Sequence, residues 1–182
     1  MEIARDKNST GGKKNFSLLK ATQVREGALE GLVYLCNHVD KTYLSQRMPE
    51  PYTAADGEAW LKKINENDGK NIIYRLITLE QKIIGAISVE RKPAVYRIDG
   101  ELGYILLDEY KNQGIMTEAV KEIVALALKE LHLLRVTAYI YEPNTASRRV
   151  VEKNGFVLDG FLPHGVQKGD NVYDLCIYGF YK

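Results

Sequence analysis

A short polar turn, Lys111-Asn112-Gln113-Gly114, separates a run typical of a strand from a run typical of a helix. The first backbone N–H groups of a helix lack partners inside the helix, and the helix dipole adds partial positive charge there. Gly114 lets the backbone approach an anion closely, and Lys111 adds a formal positive charge. The junction therefore fits a phosphate group, although the same residues are also typical of an ordinary turn. Neither the GxxxxGK[ST] pattern of a P-loop nor the GxGxxG pattern of a dinucleotide site is present.

The runs on either side of this turn must hold it in place. ELGYILL, at 101–107, predicts a strand before the turn, and Leu134–Tyr141 alternates apolar and polar residues as a second strand does. Between them, apolar residues recur at steps of three and four and predict a helix over 114–131: Met116, Val120, Ile123, Ala127 and Leu131. A strand, helix and strand in this order predict a parallel pair joined by a right-handed crossover.

The rest of the chain predicts more strands and three more helices. Thr22 is expected to cap a helix reaching Val39, Thr53 with Asp56 a helix to about residue 66, and Asn144 a short helix ended by Gly155. Further strands are expected at 16–20, 71–79, 82–89, 97–107, 156–162 and 172–181. The order β-α-α-β-β-β-α-β-α-β-β predicts an α/β (α+β) fold, with a mixed, mostly antiparallel sheet flanked by about four helices.

Composition excludes several classes of protein. In 182 residues, 25 Lys and Arg almost balance 24 Asp and Glu, so overall charge favours neither nucleic acid nor an anionic membrane as a partner. No apolar run approaches the roughly 18 residues that span a bilayer. Cys36 and Cys176 show no metal-ligand spacing and are expected as buried thiols. We expect residues 1–14 to be a flexible leader, residues 15–182 one domain, and the protein to be cytoplasmic.

Two motifs, taken in order, resemble the GNAT superfamily of acetyl-CoA-dependent N-acetyltransferases, and within it the RimJ/RimL-like branch. The family's Q/R-x-x-G-x-G/A signature falls on residues 111–116, followed by Thr117-Glu118-Ala119. The branch pattern N-x-x-S-x-x-V-x-E-K-x-G-F falls on Asn144, Ser147, Val150, Glu152, Lys153, Gly155 and Phe156. The resemblance also reaches PYTAADGEAWL, IIGAISV and Asp174, and spans roughly residues 16–182. It implies a GNAT fold whose two parallel strands splay apart.

The resemblance also implies where acetyl-CoA binds as cosubstrate, without a metal. Its pyrophosphate would meet backbone amides at 112–117, and its pantetheine arm would pair with the strand at 104–107. The cofactor-binding residues implied are Ile105, Leu106, Leu107, Asn112, Gln113, Gly114, Ile115, Met116, Thr117, Asn144 and Ser147. This chain departs from the family at Lys111, where Arg or Gln is usual, and at Met116, where Gly or Ala is usual. It departs again at Pro163 and Gly165, where the branch often has Arg and an aromatic residue.

Transfer of an acetyl group to an amine requires one group that removes a proton from the amine and another that donates to the leaving sulfur. An alkyl ammonium has a pKa near ~10 and an α-amino group near ~8, so a proton must leave before attack on the thioester. Glu101 is the candidate base, directly or through water, and a solvent-facing carboxylate at a strand start is the alternative. Many GNAT enzymes carry a general-acid tyrosine where this chain has Val151, so Ser147 is the candidate donor to the sulfur. Asp174 and His164 are lesser candidates, and Tyr104 is expected to pack against the sheet.

These features together predict an acetyl-CoA-dependent N-acetyltransferase that acts on a primary amine. A protein N-terminal α-amino group is the favoured acceptor by analogy with the branch, and polyamines or other small amines are the alternatives. The rival hypothesis is a non-catalytic sensor that keeps the fold and binds CoA or a peptide. The sequence leaves monomer and homodimer both open.

Overall fold

The computed structural model describes residues 16–24, 27–45 and 47–182, so the expected leader at 1–14 lies outside the described residues. The strands are β1 Phe16–Leu19, β2 Ile72–Leu79, β3 Lys82–Arg91, β4 Asp99–Leu106, β5 Arg135–Tyr141, β6 Val157–Lys168 and β7 Asn171–Tyr181. The helices are α1 Ala28–His38, α2 Ala54–Asn67, α3 Ile115–Glu130 and α4 Thr145–Lys153. The predicted order of elements is confirmed.

One sheet contains all seven strands, in the order β1-β2-β3-β4-β5-β7-β6. Each neighbouring pair is antiparallel except β4 and β5, which run parallel because α3 crosses between them. The prediction of a mostly antiparallel sheet with one parallel crossover is therefore confirmed. No helix within the described ranges is long and apolar enough to cross a membrane.

Two apolar cores cover the two faces of the sheet. Helices α3 and α4 cover one face, where Ile123, Ala127 and Val136 are completely buried. Helices α1 and α2 cover the other, where Leu35, Ile64 and Leu76 lie in a separate cluster. Because side chains alternate along a strand, each residue of β4 and β5 faces one of these two layers. This alternation decides which side of the sheet each candidate residue serves.

Local sequence signals explain most of the helix boundaries. Thr53 and Asp56 form the predicted capping box, in which the Asp56 amide donates to Thr53 Oγ1 at 3.3 Å and the Thr53 amide donates to Asp56 Oδ2 at 2.8 Å. Asn144 caps α4, and Gly155, with φ of +81°, follows its C-terminal end. The left-handed conformation there favours glycine.

The predicted start of α1 at Thr22 is wrong. Thr22 lies inside a separate three-residue 3-10 helix, Ala21–Gln23, and α1 begins only after Gly27, whose φ is +74°. The left-handed Gly27 changes the chain direction before the apolar stripe of α1 meets the sheet. Gly31, which weakens the helix by propensity, lies where a Cβ would come within 2.8 Å of Ile83 Cδ1. Close packing of α1 on β3 therefore explains that glycine.

The two cysteines are buried free thiols, as predicted. Burial raises the pKa of Cys36 to about 11, against a smaller lowering effect of Lys41. The Cys36 thiol is therefore protonated at neutral pH and behaves as a small apolar side chain.

Candidate active site

A cleft opens between β4 and β5 because the two strands pair over only three positions. Asp99 pairs with Arg135, Gly100 with Val136, and Glu101 with Thr137, after which the ladder stops. Both strands continue for several residues beyond this point, β4 to Leu106 and β5 to Tyr141. Each strand keeps its other neighbour, β3 for β4 and β7 for β5. The facing edges of both strands are therefore open.

The backbone of β4 shows which groups face this cleft. The Leu107 amide donates to the Ile84 carbonyl at 2.9 Å, toward β3. Hydrogen-bonding directions alternate along an antiparallel pair, so the Ile105 amide also faces β3, whereas the Tyr104 and Leu106 amides face the cleft. The orientation of these amides narrows the prediction that Ile105, Leu106 and Leu107 bind the cofactor. Only Leu106 of these three can offer its amide to an extended molecule in the cleft, and Tyr104 joins it.

The turn before α3 presents a row of backbone donors at one end of the cleft. Asn112 has φ of +59° and Gly114 has φ of +79°. No backbone acceptor among the described residues takes the amides of 112–117, and the first bond at the helix start is from Glu118 to the Gly114 carbonyl. Residues 112–114 are exposed. The geometry is that of an anion site at a helix N-terminus.

Side chains behind this turn point into the core. Ile115 and Met116 are buried in the layer under α3. Met116 therefore fills core volume beneath the helix start, which explains why a large residue is accepted where the family usually has Gly or Ala. Its backbone amide stays at the turn with the other amides of 112–117.

Lys111 is engaged by two carboxylates. Its Nζ lies 2.7 Å from Asp108 Oδ1 and 3.6 Å from Asp40 Oδ2. Desolvation lowers the pKa of Lys111, but the hydrogen bond to Asp108 and the charges of Asp108 and Asp40 raise it overall, so the side chain stays cationic. The sequence predicted the positive charge at this junction, but not that Asp40 shares it.

Helix α4 forms the wall of the cleft next to β5. The Asn144 side-chain oxygen accepts from the Ser147 amide at 3.1 Å, which confirms the predicted cap. Asn154 Nδ2 donates to the Thr117 carbonyl at 3.0 Å and so fixes α4 against the first turn of α3. This bond fixes the C-terminal end of α4, and Asn144 and Ser147 lie at the opposite, N-terminal end of the helix, directly after β5.

A tyrosine hydroxyl crosses from β4 to α4. Tyr104 Oη donates to the Ser147 carbonyl at 3.3 Å, and desolvation raises the pKa of Tyr104 to about 12. Val151, at the position of the family's general acid, is completely buried in the core and offers no donor. The Ser147 hydroxyl has no hydrogen-bond partner within the described part of the chain. Two hydroxyls, those of Tyr104 and Ser147, therefore lie on the α3–α4 side of the sheet.

Glu101 lies at the last paired position before the cleft and faces the opposite layer. Leu102 and Leu106 pack under α3, so Glu101 points to the face that α1 and α2 cover. It is half-buried, and its carboxylate has no ion-pair or hydrogen-bond partner in the described ranges. Glu90 on β3 is its direct cross-strand neighbour. Glu90 carries no motif that marks it in the sequence, and it is identified by the register of the β3–β4 pair.

A basic side chain binds a third carboxylate on this face of the sheet, that of Asp99. Lys92 Nζ lies 2.6 Å from Asp99 Oδ2 and 3.0 Å from Tyr139 Oη. Asp99 and Glu101 share a face of β4, since they are two residues apart. On this face, carboxylates, an ammonium group and a tyrosine therefore lie along the paired stretch that leads to the cleft.

The lesser candidates have structural contacts. Asp174 Oδ1 accepts from the backbone amide of His164 at 2.8 Å, a contact within the β6–β7 hairpin. His164 is exposed and has φ of +53° at an irregular part of β6, where the β6–β7 register shifts. In the described part of the chain, neither side chain forms a hydrogen bond or an ion pair with Glu101 or Ser147.

Residues 19–157 match the acetyltransferase (GNAT) domain family. The chain is 26% identical over 164 residues to the uncharacterized N-acetyltransferase YnaD of Bacillus subtilis, covering 87% of this chain and 92% of the relative. It is 26% identical over 144 residues to the ribosomal-protein-serine acetyltransferase of Escherichia coli, covering 76% and 79%. The microcin C7 self-immunity acetyltransferase MccE, solved with acetyl-CoA and AMP, superposes with a TM-score of 0.74 at 19% identity, covering 92% of each chain.

These comparisons agree with the geometry of the cleft. The family match covers the splayed strands, the turn before α3 and the cap of α4. The resemblance to the RimJ/RimL-like branch is confirmed, since ribosomal-protein acetyltransferases are among the relatives. The chain belongs to the GNAT family of acetyltransferases.

Proposed function

We propose that this enzyme, an N-acetyltransferase of the GNAT family, transfers an acetyl group from acetyl-CoA to the α-amino group of a protein N-terminus. The observation that carries the proposal is the end of the β4–β5 ladder at Glu101 and Thr137. Beyond it, the open edge of β4 leads directly to the unpaired amides at 112–117. The extended pantetheine arm of acetyl-CoA can pair with the open edge of β4, and the pyrophosphate at its end then reaches the amides of the turn.

The residues present fit acetyl-CoA. The Tyr104 and Leu106 amides can pair with the amide groups of the pantetheine arm as an added strand would. The amides at 112–117 and Lys111 meet the pyrophosphate. Asn144 uses its side-chain oxygen in the helix cap, which leaves its Nδ2 without a partner in the described structure and able to donate to the arm. The thioester then lies near Glu101, where the strands begin to separate.

The thioester supplies an activated acetyl group, and the chain's own residues handle the protons. Glu101 removes the proton of the incoming ammonium through water, and the neutral amine then attacks the carbonyl carbon. Attack forms the C–N bond and gives a tetrahedral oxyanion. Its collapse breaks the C–S bond and re-forms the carbonyl, and the second proton of the amine passes through water to the CoA thiolate. A β4 amide facing the cleft stabilises the negative charge that develops on the acetyl oxygen. The Ser147 hydroxyl donates a hydrogen bond to the leaving sulfur.

The acceptor is proposed from the relatives and from the α1–α2 side of the cleft. The Escherichia coli relative is named for a ribosomal-protein substrate. In this chain, Glu90 and Glu101 present two carboxylates on the face from which an amine would approach. Opposite charge favours binding of an ammonium group. Polyamines and other small amines carry the same group and are the alternative acceptors.

Turnover tests this function directly. Release of free CoA thiol, followed with DTNB, should depend on both acetyl-CoA and an acceptor peptide with a free N-terminus. The same peptide with a blocked N-terminus is the matched control and should give no release. Polyamines assayed in parallel identify a small-amine enzyme if they are preferred.

The rival hypothesis of a non-catalytic sensor predicts a different result. Such a protein would bind acetyl-CoA but release no CoA above the background with any acceptor. The buried Val151 gives this rival its basis, because the usual acid is missing. Acceptor-dependent release would refute it. The cytoplasmic location and the boundary of the domain at residue 15 stay predictions.

A further inference from the structure

The turn between α1 and α2, residues 40–44, connects the two sides of the cleft, and we call it the acceptor turn. At one end, Asp40 Oδ2 lies 3.6 Å from Lys111 Nζ, next to the phosphate-binding turn. At the other end, the Tyr43 ring packs edge-on against Tyr141 at 6.0 Å and against Tyr173 at 6.2 Å between ring centroids. Tyr141 ends β5, and Tyr173 lies on β7. The acceptor turn therefore lies across the open end of the cleft.

The β7 side of the acceptor turn is held firmly. Lys168, at the end of β6, donates through Nζ to the carbonyls of Lys41, Thr42 and Leu44, at 3.1 Å for Thr42 and 3.0 Å for Leu44. Hydrogen bonds from an ammonium group are stronger than those between neutral groups. Together with the Tyr43 contacts, these bonds fix this end to the β6–β7 hairpin.

The β4 side is held more weakly. The Asp40–Lys111 pair is long, and both side chains are 40% exposed. Exposed ion pairs contribute little because water and salt screen them. Lys111 has a shorter contact with Asp108, at 2.7 Å. Asp40 Oδ1 accepts from the Thr42 amide at 2.9 Å and from Thr42 Oγ1 at 2.6 Å, so its carboxylate is oriented by its own turn.

A pyrophosphate at 112–117 would compete with Asp40 for Lys111. It carries more negative charge than one carboxylate and is held by the helix N-terminus directly after Lys111. We propose that Lys111 leaves Asp40 when the pyrophosphate binds, so that cofactor binding releases one end of the acceptor turn while Lys168 holds the other. This inference rests on the proposed function, because it takes acetyl-CoA as the ligand of the turn.

The consequence is a change in the freedom of the acceptor turn. After Asp40 and Lys111 separate, residues 40–44 stay attached through the Lys168 hydrogen bonds and the Tyr43 ring contacts. The backbone at the β4 end of the turn therefore fluctuates more when the cofactor is bound than when it is absent.

Hydrogen exchange of the full chain, with and without saturating CoA, tests the inference without turnover. In the unsubstituted protein, CoA should increase exchange of amides in residues 40–45 by several-fold, although bound ligands usually slow exchange. Asp40→Asn keeps an oxygen for Thr42 but removes the charge. This variant should show the faster exchange without CoA and no further increase with it.

Asp108→Asn is the matched control, since it removes the same charge from the other partner of Lys111 but lies outside the acceptor turn. Calorimetry should show CoA binding about two- to fivefold tighter in both variants, because each loses a competitor of the pyrophosphate. Only Asp108→Asn should keep the CoA-dependent rise in exchange.

Three results would overturn the inference. One is unchanged or slower exchange of residues 40–45 in the unsubstituted protein when calorimetry shows CoA bound. Another is an identical response of the two variants to CoA. The third is absence of any CoA binding, which would also overturn the proposed function. The first two leave the proposed function intact, so the two failures are distinguishable.

Discussion

Glu101 and Ser147 lie on opposite faces of the sheet, and this separation suits their proposed roles. Glu101 faces the α1–α2 side, whereas Tyr104, on the same strand, bonds the Ser147 carbonyl on the α4 side. In acetyl transfer, the amine nitrogen and the leaving sulfur occupy different corners of the tetrahedral intermediate, so the base for one and the donor to the other belong at different sides of the acyl carbon. The alternation of side chains along β4 therefore lets one strand serve both steps.

We expect Glu101→Gln to lower turnover and to remove the acidic limb of the pH–rate profile. Glutamine has the shape of glutamate but cannot accept the ammonium proton, so the base is lost while packing is kept. The profile of kcat/KM against pH, measured with saturating acetyl-CoA, checks this. Glu90→Gln is the matched control, and it should keep the acidic limb. An unchanged profile in Glu101→Gln would mean that solvent, and not Glu101, removes the proton of the ammonium group.

Ser147→Ala should lower kcat about ten- to a hundredfold with little change in affinity for acetyl-CoA. The change deletes the hydroxyl but keeps the Ser147 carbonyl that Tyr104 contacts and the amide that Asn144 caps. Tyr104→Phe is the comparison, because it removes the other hydroxyl on this side. Full activity in Ser147→Ala with a large loss in Tyr104→Phe would assign the donor to Tyr104.

Asn144 has two proposed roles that a pair of variants separates. Asn144→Ala should cost roughly 1 kcal/mol of unfolding free energy as a lost cap and should raise the KM for acetyl-CoA. Asn144→Ser keeps a capping oxygen but loses the amide donor, so it should restore stability and keep the raised KM. Denaturant midpoints and initial rates measure the two effects. A normal KM in both variants would leave Asn144 only its capping role.

At the scale of elements, the strand–turn–helix junction depends on backbone conformation. Gly114 has φ of +79°, and a Cβ there would meet nothing within 4 Å. The obstacle to substitution is therefore the left-handed conformation, which costs other residues about 1–2 kcal/mol. The amides at 112–117 converge only while Gly114 keeps this conformation.

Gly114→Val should consequently weaken CoA binding far more than it weakens the fold. A β-branched residue tends to leave the left-handed region and to turn the amides away from the pyrophosphate. Gly114→Asn is the control, since asparagine tolerates that region. Calorimetric Kd values and thermal midpoints of both variants check the prediction. Equal Kd values for Gly114→Val and the unsubstituted protein would mean that the pyrophosphate binds elsewhere.

At the scale of the whole molecule, the cleft interrupts the sheet between its two apolar layers. Among the described residues, the β1–β4 half and the β5–β7 half are joined near the cleft by three β4–β5 pairs, by contacts of Asp99 with Thr137 and of Lys92 with Tyr139, and by the packing of the helices. A ligand that pairs with the open edges should therefore stabilise the junction between the halves.

Acetyl-CoA at 100 times its Kd should stabilise the folded state by about 2.7 kcal/mol. For a protein of this size, that corresponds to a rise in Tm of about 5–10 °C. Differential scanning fluorimetry with acetyl-CoA measures the shift, and Gly114→Val should reduce it. Absence of any shift at saturating acetyl-CoA would contradict the cofactor assignment.

The sequence by itself determined the features that short-range chemistry controls. The capping box of Thr53 and Asp56, the cap at Asn144 and the burial of Val136, Ala138 and Ile140 follow from residues a few positions apart. The order of elements and the parallel crossover follow from periodicity and chain connectivity. The motif at 111–116 indicated the family for the same reason, because a turn that opens a helix is a local structure.

Only the tertiary structure decided what depends on distant parts of the chain. The start of α1 follows from Gly27 and from packing on Ile83, not from the propensity of Thr22. The end of the ladder at Glu101 and Thr137 selects which β4 amides face the cleft. Asp40 and Lys111 lie 71 positions apart in the sequence and meet because α1 packs on β3, the sheet neighbour of β4. Such contacts form only when the helices pack on both faces of the complete sheet, so no local sequence pattern encodes them.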